Sequence, residues 1–154
     1  MKYSIDTSAL ISAYREHYPP DVFPPVWAFL DELVADGRLG ASVEVLTELE
    51  RKDDELRDWA RARKLMFRPT DEAVQRHVSA ILDAHKSLVD ESSLGQPADA
   101  FVIALARHHQ CTVVTSEKAT GNLAKPHMPD VCRALGIPCV PLLGMFRGEG
   151  KTFP

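Results

Sequence analysis

The sequence predicts an α/β protein, a parallel sheet flanked by helices, and three observations carry that prediction. Short apolar or β-branched runs recur at Lys2–Ile5, Leu39–Ser42, Cys111–Thr115 and Ile137–Leu142. Longer stretches with helical spacing separate them, and strands alternating with helices pair in parallel. The stretch PADAFVIALARHH is apolar nearly all round, as only a central, buried helix can be.

In chain order, Lys2–Ile5 is a strand and Ser8–Glu16 a helix, stopped by the proline-punctuated segment Tyr18–Pro25. Pro25 suits the first turn of a second helix through Trp27, Phe29, Leu30, Leu33 and Val34, which Gly37 ends. After the extended piece Leu39–Ser42, a helix from Val43 carries Val45, Leu46 and Leu49. A further helix follows Asp53-Asp54 to about Lys64, and another runs from about Asp71 to Leu88. Ser92–Pro97 is loop and leads into the buried helix. Beyond the strand Cys111–Thr115, Pro129–Leu135 is a short helix stopped by Gly136, and Ile137–Leu142 is the last strand.

At 154 residues the chain reads as one domain, residues 1–154, large enough to bury about 70% of its unfolded surface. No apolar run approaches a membrane span and no signal segment opens the chain, so a cytoplasmic protein with no membrane association is expected. Three cysteines, each in an apolar stretch, read as buried free thiols, and His108-His109-x-Cys111 lacks the second ligand pair of a structural zinc site. A net charge of −4 argues against nonspecific coating of nucleic acid but leaves room for a nuclease with an acidic site.

Ligands of such sheets bind beyond the carboxyl ends of the strands. Asp6 follows the first strand and Glu117 the Cys111–Thr115 strand, so both reach one rim if those strands are neighbours. Asp99 shares a helical stripe with Val102, Ile103 and Ala106 that should face the protein, and Glu48 stacks with Val45 one turn back and borders Leu49, with Glu44 and Glu50 further out. Each acid has an ordinary role open to it: helix capping for Asp6, dipole complementarity for Asp99, a boundary position for Glu48, a loop for Glu117. Together they point elsewhere. Two carboxylates about 4 Å apart repel by roughly 4 kcal/mol at an effective dielectric near 20, so a cluster must take up protons or hold a cation. Oxygen-only ligands favour Mg²⁺ or Mn²⁺, whose chemistry suits phosphodiester hydrolysis.

Ile5-Asp6-Thr7-Ser8, Ser42-Val43-x-Val45-Leu46-x-Glu48-Leu49, Pro97-Ala98-Asp99-Ala100-x-Val102-x-Ala104-x-Ala106 and Val113-Val114-Thr115-x-Glu117, in that order, resemble the PIN-domain pattern in the form of VapC-type toxin ribonucleases. The resemblance implies a three-layer α/β/α fold and a Mg²⁺- or Mn²⁺-dependent endoribonuclease site. Asp6, Glu48 and Asp99 match the three most regular acids of that pattern. Glu117 stands where an aspartate is usual. Ser8 and Thr115 match polar positions that orient the acids. An RNA substrate, a protein antitoxin over the acidic site and a homodimer are the implied partners. A helix and strand follow the fourth acid, a departure from the smallest members, and Asp130 is an extra acid for which helix capping competes with a place on the rim.

Arg57, Arg61, Lys64 and Arg68 fall on one face if the helix reaches Arg68, a stripe for RNA phosphates or a solvated face paired with Asp53, Asp54 and Asp58. Trp27, Phe23 and Phe29 are candidates for partner contacts, with core packing the competing role for Trp27 and Phe29. Other readings fit less well. A phospho-accepting receiver module matches Thr115 and Lys118 but needs an acid pair near strand one, where Asp6 stands alone. A haloacid-dehalogenase-like phosphatase needs an aspartate where Ser8 stands. A histidine-based ribonuclease would resist EDTA, and a non-catalytic interaction module could keep the acids without turnover.

Overall fold

The computed structural model describes residues 1–52, 54–86 and 98–154. Asp53, the expected loop Ser92–Pro97 and the expected end of the helix at Leu88 lie outside the described residues. Five parallel strands form the sheet: β1 (Tyr3–Ile5), β2 (Leu39–Ser42), β3 (Phe67–Arg68), β4 (Thr112–Val114) and β5 (Cys139–Val140), in the order β3-β2-β1-β4-β5. The register sets Ser4 beside Gly40 on one flank and Val113 on the other. The chain builds outward from β1 in one direction to β3, then returns to β1 and builds out the other way. The reversal opens a crevice between the ends of β1 and β4, where open α/β sheets bind ligands.

The helices are α1 (Thr7–Ser12), α2 (Pro24–Ala35), α3 (Val43–Glu50), α4 (Glu55–Arg61), α5 (Glu72–Ala84), α6 (Ala98–His109), α7 (Met128–Leu135) and α8 (Leu142–Gly148). Side chains of a strand alternate between faces, and β1 shows both layers. Ser4, pointing one way, donates to the Val102 carbonyl of α6 at 3.0 Å; Tyr3, pointing the other, donates to Glu149 just beyond α8 at 2.7 Å. The protein is therefore three-layered, α/β/α. As its composition requires, α6 is buried along most of its length, from Ala98 through Ala106, and packs against β1, β2, β4 and α5.

Several boundaries depart from those the sequence predicts. The strand β3 has no counterpart among the strands the sequence predicts: only two residues long, it sits at the sheet edge after a 3₁₀ turn (Lys64–Met66). The last strand is shorter than expected, and the residues after Pro141 turn into α8. The first helix changes to π-helical pitch over Ala13–His17, where the Tyr18 amide reaches back to the Ala13 carbonyl at 2.8 Å. The helix holding Arg57 and Arg61 ends at Arg61, so Lys64 and Arg68 do not continue its face. Arg61 pairs with Glu50 and Arg57 with Asp58, both at 3.3 Å, while Asp54 caps α4 and pairs with Arg15. Trp27 and Phe29 are core residues, Trp27 edge-on to Trp59 at 5.1 Å, whereas Phe23 is partly exposed. Among the described residues no helix is long and apolar enough to cross a membrane.

Candidate functional site

The crevice at the β1–β4 reversal is lined by the starts of α1 and α6 and by the loop after β4, with α3 at its side. Asp6 leaves β1 in extended conformation and caps α1, accepting from the Ala9 amide at 2.7 Å. Its amide bonds the Val114 carbonyl at 3.0 Å, which fixes the carboxylate beside Thr115. The Thr115 hydroxyl donates to Asp6 Oδ2 at 2.5 Å, and the Ser8 hydroxyl lies within 2.9 Å of both carboxylate oxygens. Ser8 in turn accepts from the Ser116 amide at 3.2 Å, tying α1 to the loop after β4.

Glu117 sits on that loop, its amide donating to Thr115 Oγ1 at 3.1 Å. One carboxylate oxygen accepts from the Met128 amide at 2.9 Å, which holds the start of α7. Asp99, in the first turn of α6, is buried, and among the described residues no group donates a hydrogen bond to it. Asp6, Asp99 and Glu117 line one cavity of about 230 Å³ with Thr7, Ser8, Ile11 and Ser12. Glu48, from α3, stands at its side: one oxygen accepts from Thr7 of α1, and the other, Oε1, is buried without a hydrogen-bond partner.

The electrostatics follow from this crowding. Burial pushes the Asp99 carboxyl up to about 8, with Glu117, Asp6 and Glu48 adding to the effect. Burial also raises Asp6, to about 6, against the opposing hydrogen bonds from Thr115, the Ala9 amide and Ser8; Glu117 adds to the rise. Carboxylates so held favour protons or a cation.

The donor set suits a hard divalent ion, being oxygens alone, and the orphaned Glu48 Oε1 is the kind of atom such an ion would satisfy. Among the described residues, however, no three His, Cys, Asp or Glu side chains form a ready-made cage. The oxygens of Asp6, Glu48 and Glu117 are turned instead toward Thr115, Ser8, Thr7 and backbone amides.

Asp130 belongs to a different piece of architecture. It accepts from the amides of Thr120, Gly121 and His127 at 2.8–2.9 Å, closing the loop before α7. Those amides, the Thr120 one foremost, hold its carboxyl well below the ordinary carboxylate range. Thr7 is the contact the sequence did not single out as a site residue. A hydroxyl directly after Asp6, at the first helical position, was its one signal, and that signal equally describes a capping segment. Cys111, Cys132 and Cys139 are free thiols.

A parallel α/β sheet with buried acids from separate segments at its switch point defines the class. The sequence profile of the family described as a domain of unknown function (DUF4411) matches residues 3–153, and the chain belongs to that family. No curated protein matches the chain.

Proposed function

We propose that the protein is a Mg²⁺- or Mn²⁺-dependent endoribonuclease, similar to the toxin of a VapC-type toxin–antitoxin pair. One observation carries the reading: Asp6, Asp99 and Glu117, far apart in sequence, line one cavity at the β1–β4 switch point, with Glu48 alongside. Asp6, Glu48 and Asp99 would hold the cation and Glu117 would support it or its waters. A bound Mg²⁺ or Mn²⁺ supplies Lewis acidity, neutralising phosphate charge and making water a better nucleophile. Ser8 and Thr115 orient Asp6 through their hydroxyls, and Thr7 does the same for Glu48. The buried surroundings keep bulk water from screening the charges. RNA is the substrate in this reading, with a protein antitoxin and a second copy of the chain as partners.

The test is a cation titration of cleavage over a panel of structured RNAs, run beside Asp99→Ala. Cleavage should depend on Mg²⁺ or Mn²⁺, stop with EDTA and vanish in Asp99→Ala. Cation-dependent cleavage at wild-type rate by the variant would remove the proposal, and cleavage that survives EDTA would point to the histidines.

A further inference from the structure

A second cavity, of about 300 Å³, opens beside the acidic one. Ser12 lines both, and its hydroxyl bonds that of Ser116 at 3.2 Å, so the two cavities share a wall. The second cavity has a different chemistry. Its interior is apolar, floored by Ala9, Ala13 and Leu142, and none of the described residues lining it is a carboxylate. Its rim carries His17 and Lys118, both exposed.

Two features make it a formed receptacle. Ala9 on α1 and Ala13 at the start of the π-helical turn leave room that larger residues would fill. The π-helical turn then swings Tyr18 onto the cavity wall, where the ring is held edge-on by Phe23 at 5.8 Å and Phe146 at 5.7 Å. The Trp27 indole fixes the backbone there through the Tyr18 carbonyl at 2.6 Å.

Resting on the nuclease reading above, we propose that this cavity is a nucleobase subsite, receiving the base of the nucleotide next to the scissile phosphate. A phosphodiester drawn to the acidic cavity by a cation must send its neighbouring base to one side. Here an apolar slot with a rigid aromatic wall adjoins it, and single-stranded nucleic acid is bound by such surfaces. Lys118 on the rim, with the His17 ring beside the same opening, complements the next phosphate along. The Ser12 and Ser116 hydroxyls are the polar groups available to read the base edge.

The experiment follows the methyl resonances of Ala9, Ala13 and Leu142 while the four nucleoside 5′-monophosphates and ribose 5-phosphate are added in turn. At least one nucleotide should shift these signals and bind at least about tenfold more tightly than ribose 5-phosphate. Leu143, partly exposed on the lining, permits Leu143→Asp without disturbing the core; that variant should weaken nucleotide binding about tenfold, and Lys118→Ala about three- to tenfold. Equal binding of ribose 5-phosphate, or nucleotide binding that leaves these methyls and both variants unaffected, overturns the subsite. So does a Leu143→Asp variant altered only in self-association, which would make the slot a protein contact. Cation-dependent RNA cleavage, assayed in parallel, separates the two claims. Cleavage without nucleotide in this cavity overturns the subsite alone, whereas nucleotide binding without any cleavage overturns the nuclease reading.

Discussion

Asp6 performs two tasks with one carboxylate, capping α1 through Oδ1 and facing the acidic cavity. The capping and functional readings of such a residue are therefore compatible, and substitution can separate them. Asparagine caps as well as aspartate, so Asp6→Asn should fold with a Tm no lower than that of the native chain, and higher at neutral pH without a cation because a carboxyl raised by burial is gone. It should yet lose at least ~100-fold in cation-dependent cleavage, more than the loss of an orienting partner causes. Retained cleavage with no loss in Tm would leave Asp6 a cap only. Thr115→Val probes the orienting contact itself. Removing its hydroxyl deletes a hydrogen bond that lowers the Asp6 pKa, so that pKa, about 6 in the native chain, should climb. Carbon-detected NMR titration of the Asp6 carboxyl would read the change, and a downward shift would contradict the arrangement.

The loop from Glu117 to α7 shows how an element is held by the same kind of chemistry. Glu117 grips the first amide of α7, and Asp130 gathers the amides of Thr120, Gly121 and His127. Because the folded pKa of Asp130 lies below its ordinary 3.8, its contribution to stability is present above that pH and fades as pH falls further. Asp130→Asn should therefore lower Tm at neutral pH by roughly 5 °C, a gap that narrows below about pH 4; a gap constant in acid would mean the carboxylate charge is immaterial. Such local devices are legible in sequence: Asp130 stands one residue after Pro129 at a helix start, and Gly136, at φ 68°, ends the same helix where predicted. The elements that escape a sequence reading are those whose existence depends on neighbours. Phe67-Arg68 becomes a strand only because β2 offers it an edge, and Leu142–Gly148 is helical despite its two glycines because Leu142, Met145 and Phe146 have a core to enter. The run of Arg57, Arg61, Lys64 and Arg68 fails for the converse reason. Their spacing is helical, but the chain turns after Arg61 to bring Met66 and Phe67 into the core.

At the scale of the whole molecule, the order β3-β2-β1-β4-β5 turns four separated acids into neighbours, because β1 and β4 adjoin and their successors diverge. Sequence could locate each acid at a strand end or on a buried helical stripe. It could not supply the pairing of oxygens with Thr7 or Met128, which arises only when α3 and α7 dock. Assembling negative charge in this way carries a cost that depends on pH. Asp99 at about 8 and Asp6 at about 6 both lie above the ordinary 3.8. A carboxyl raised on folding contributes stability that is fully present below its unfolded pKa and lost as pH climbs through the folded value. Without a cation, these two groups should thus make the fold progressively less stable between about pH 4 and 8. Asp99→Asn removes the larger shift, and at pH 8 it should stabilise the cation-free protein by about 2–3 kcal/mol, roughly half of what the full shift converts to at ~1.4 kcal/mol per unit, the remainder being relieved by relaxation of the exposed cavity mouth. A divalent ion should relieve the same repulsion in the native chain: Mn²⁺ at a hundred times its Kd adds about 2.7 kcal/mol by mass action. Its affinity, and with it the Tm gain, should grow from pH 5.5 to pH 8 as it competes with fewer protons. Thermal melts at the two pH values, with EDTA or Mn²⁺, measure all of this at once. A Mn²⁺ effect that is absent would mean that the acids answer their crowding with protons alone, and one equal in wild type and Asp99→Asn at pH 8 would take Asp99 out of the cation site.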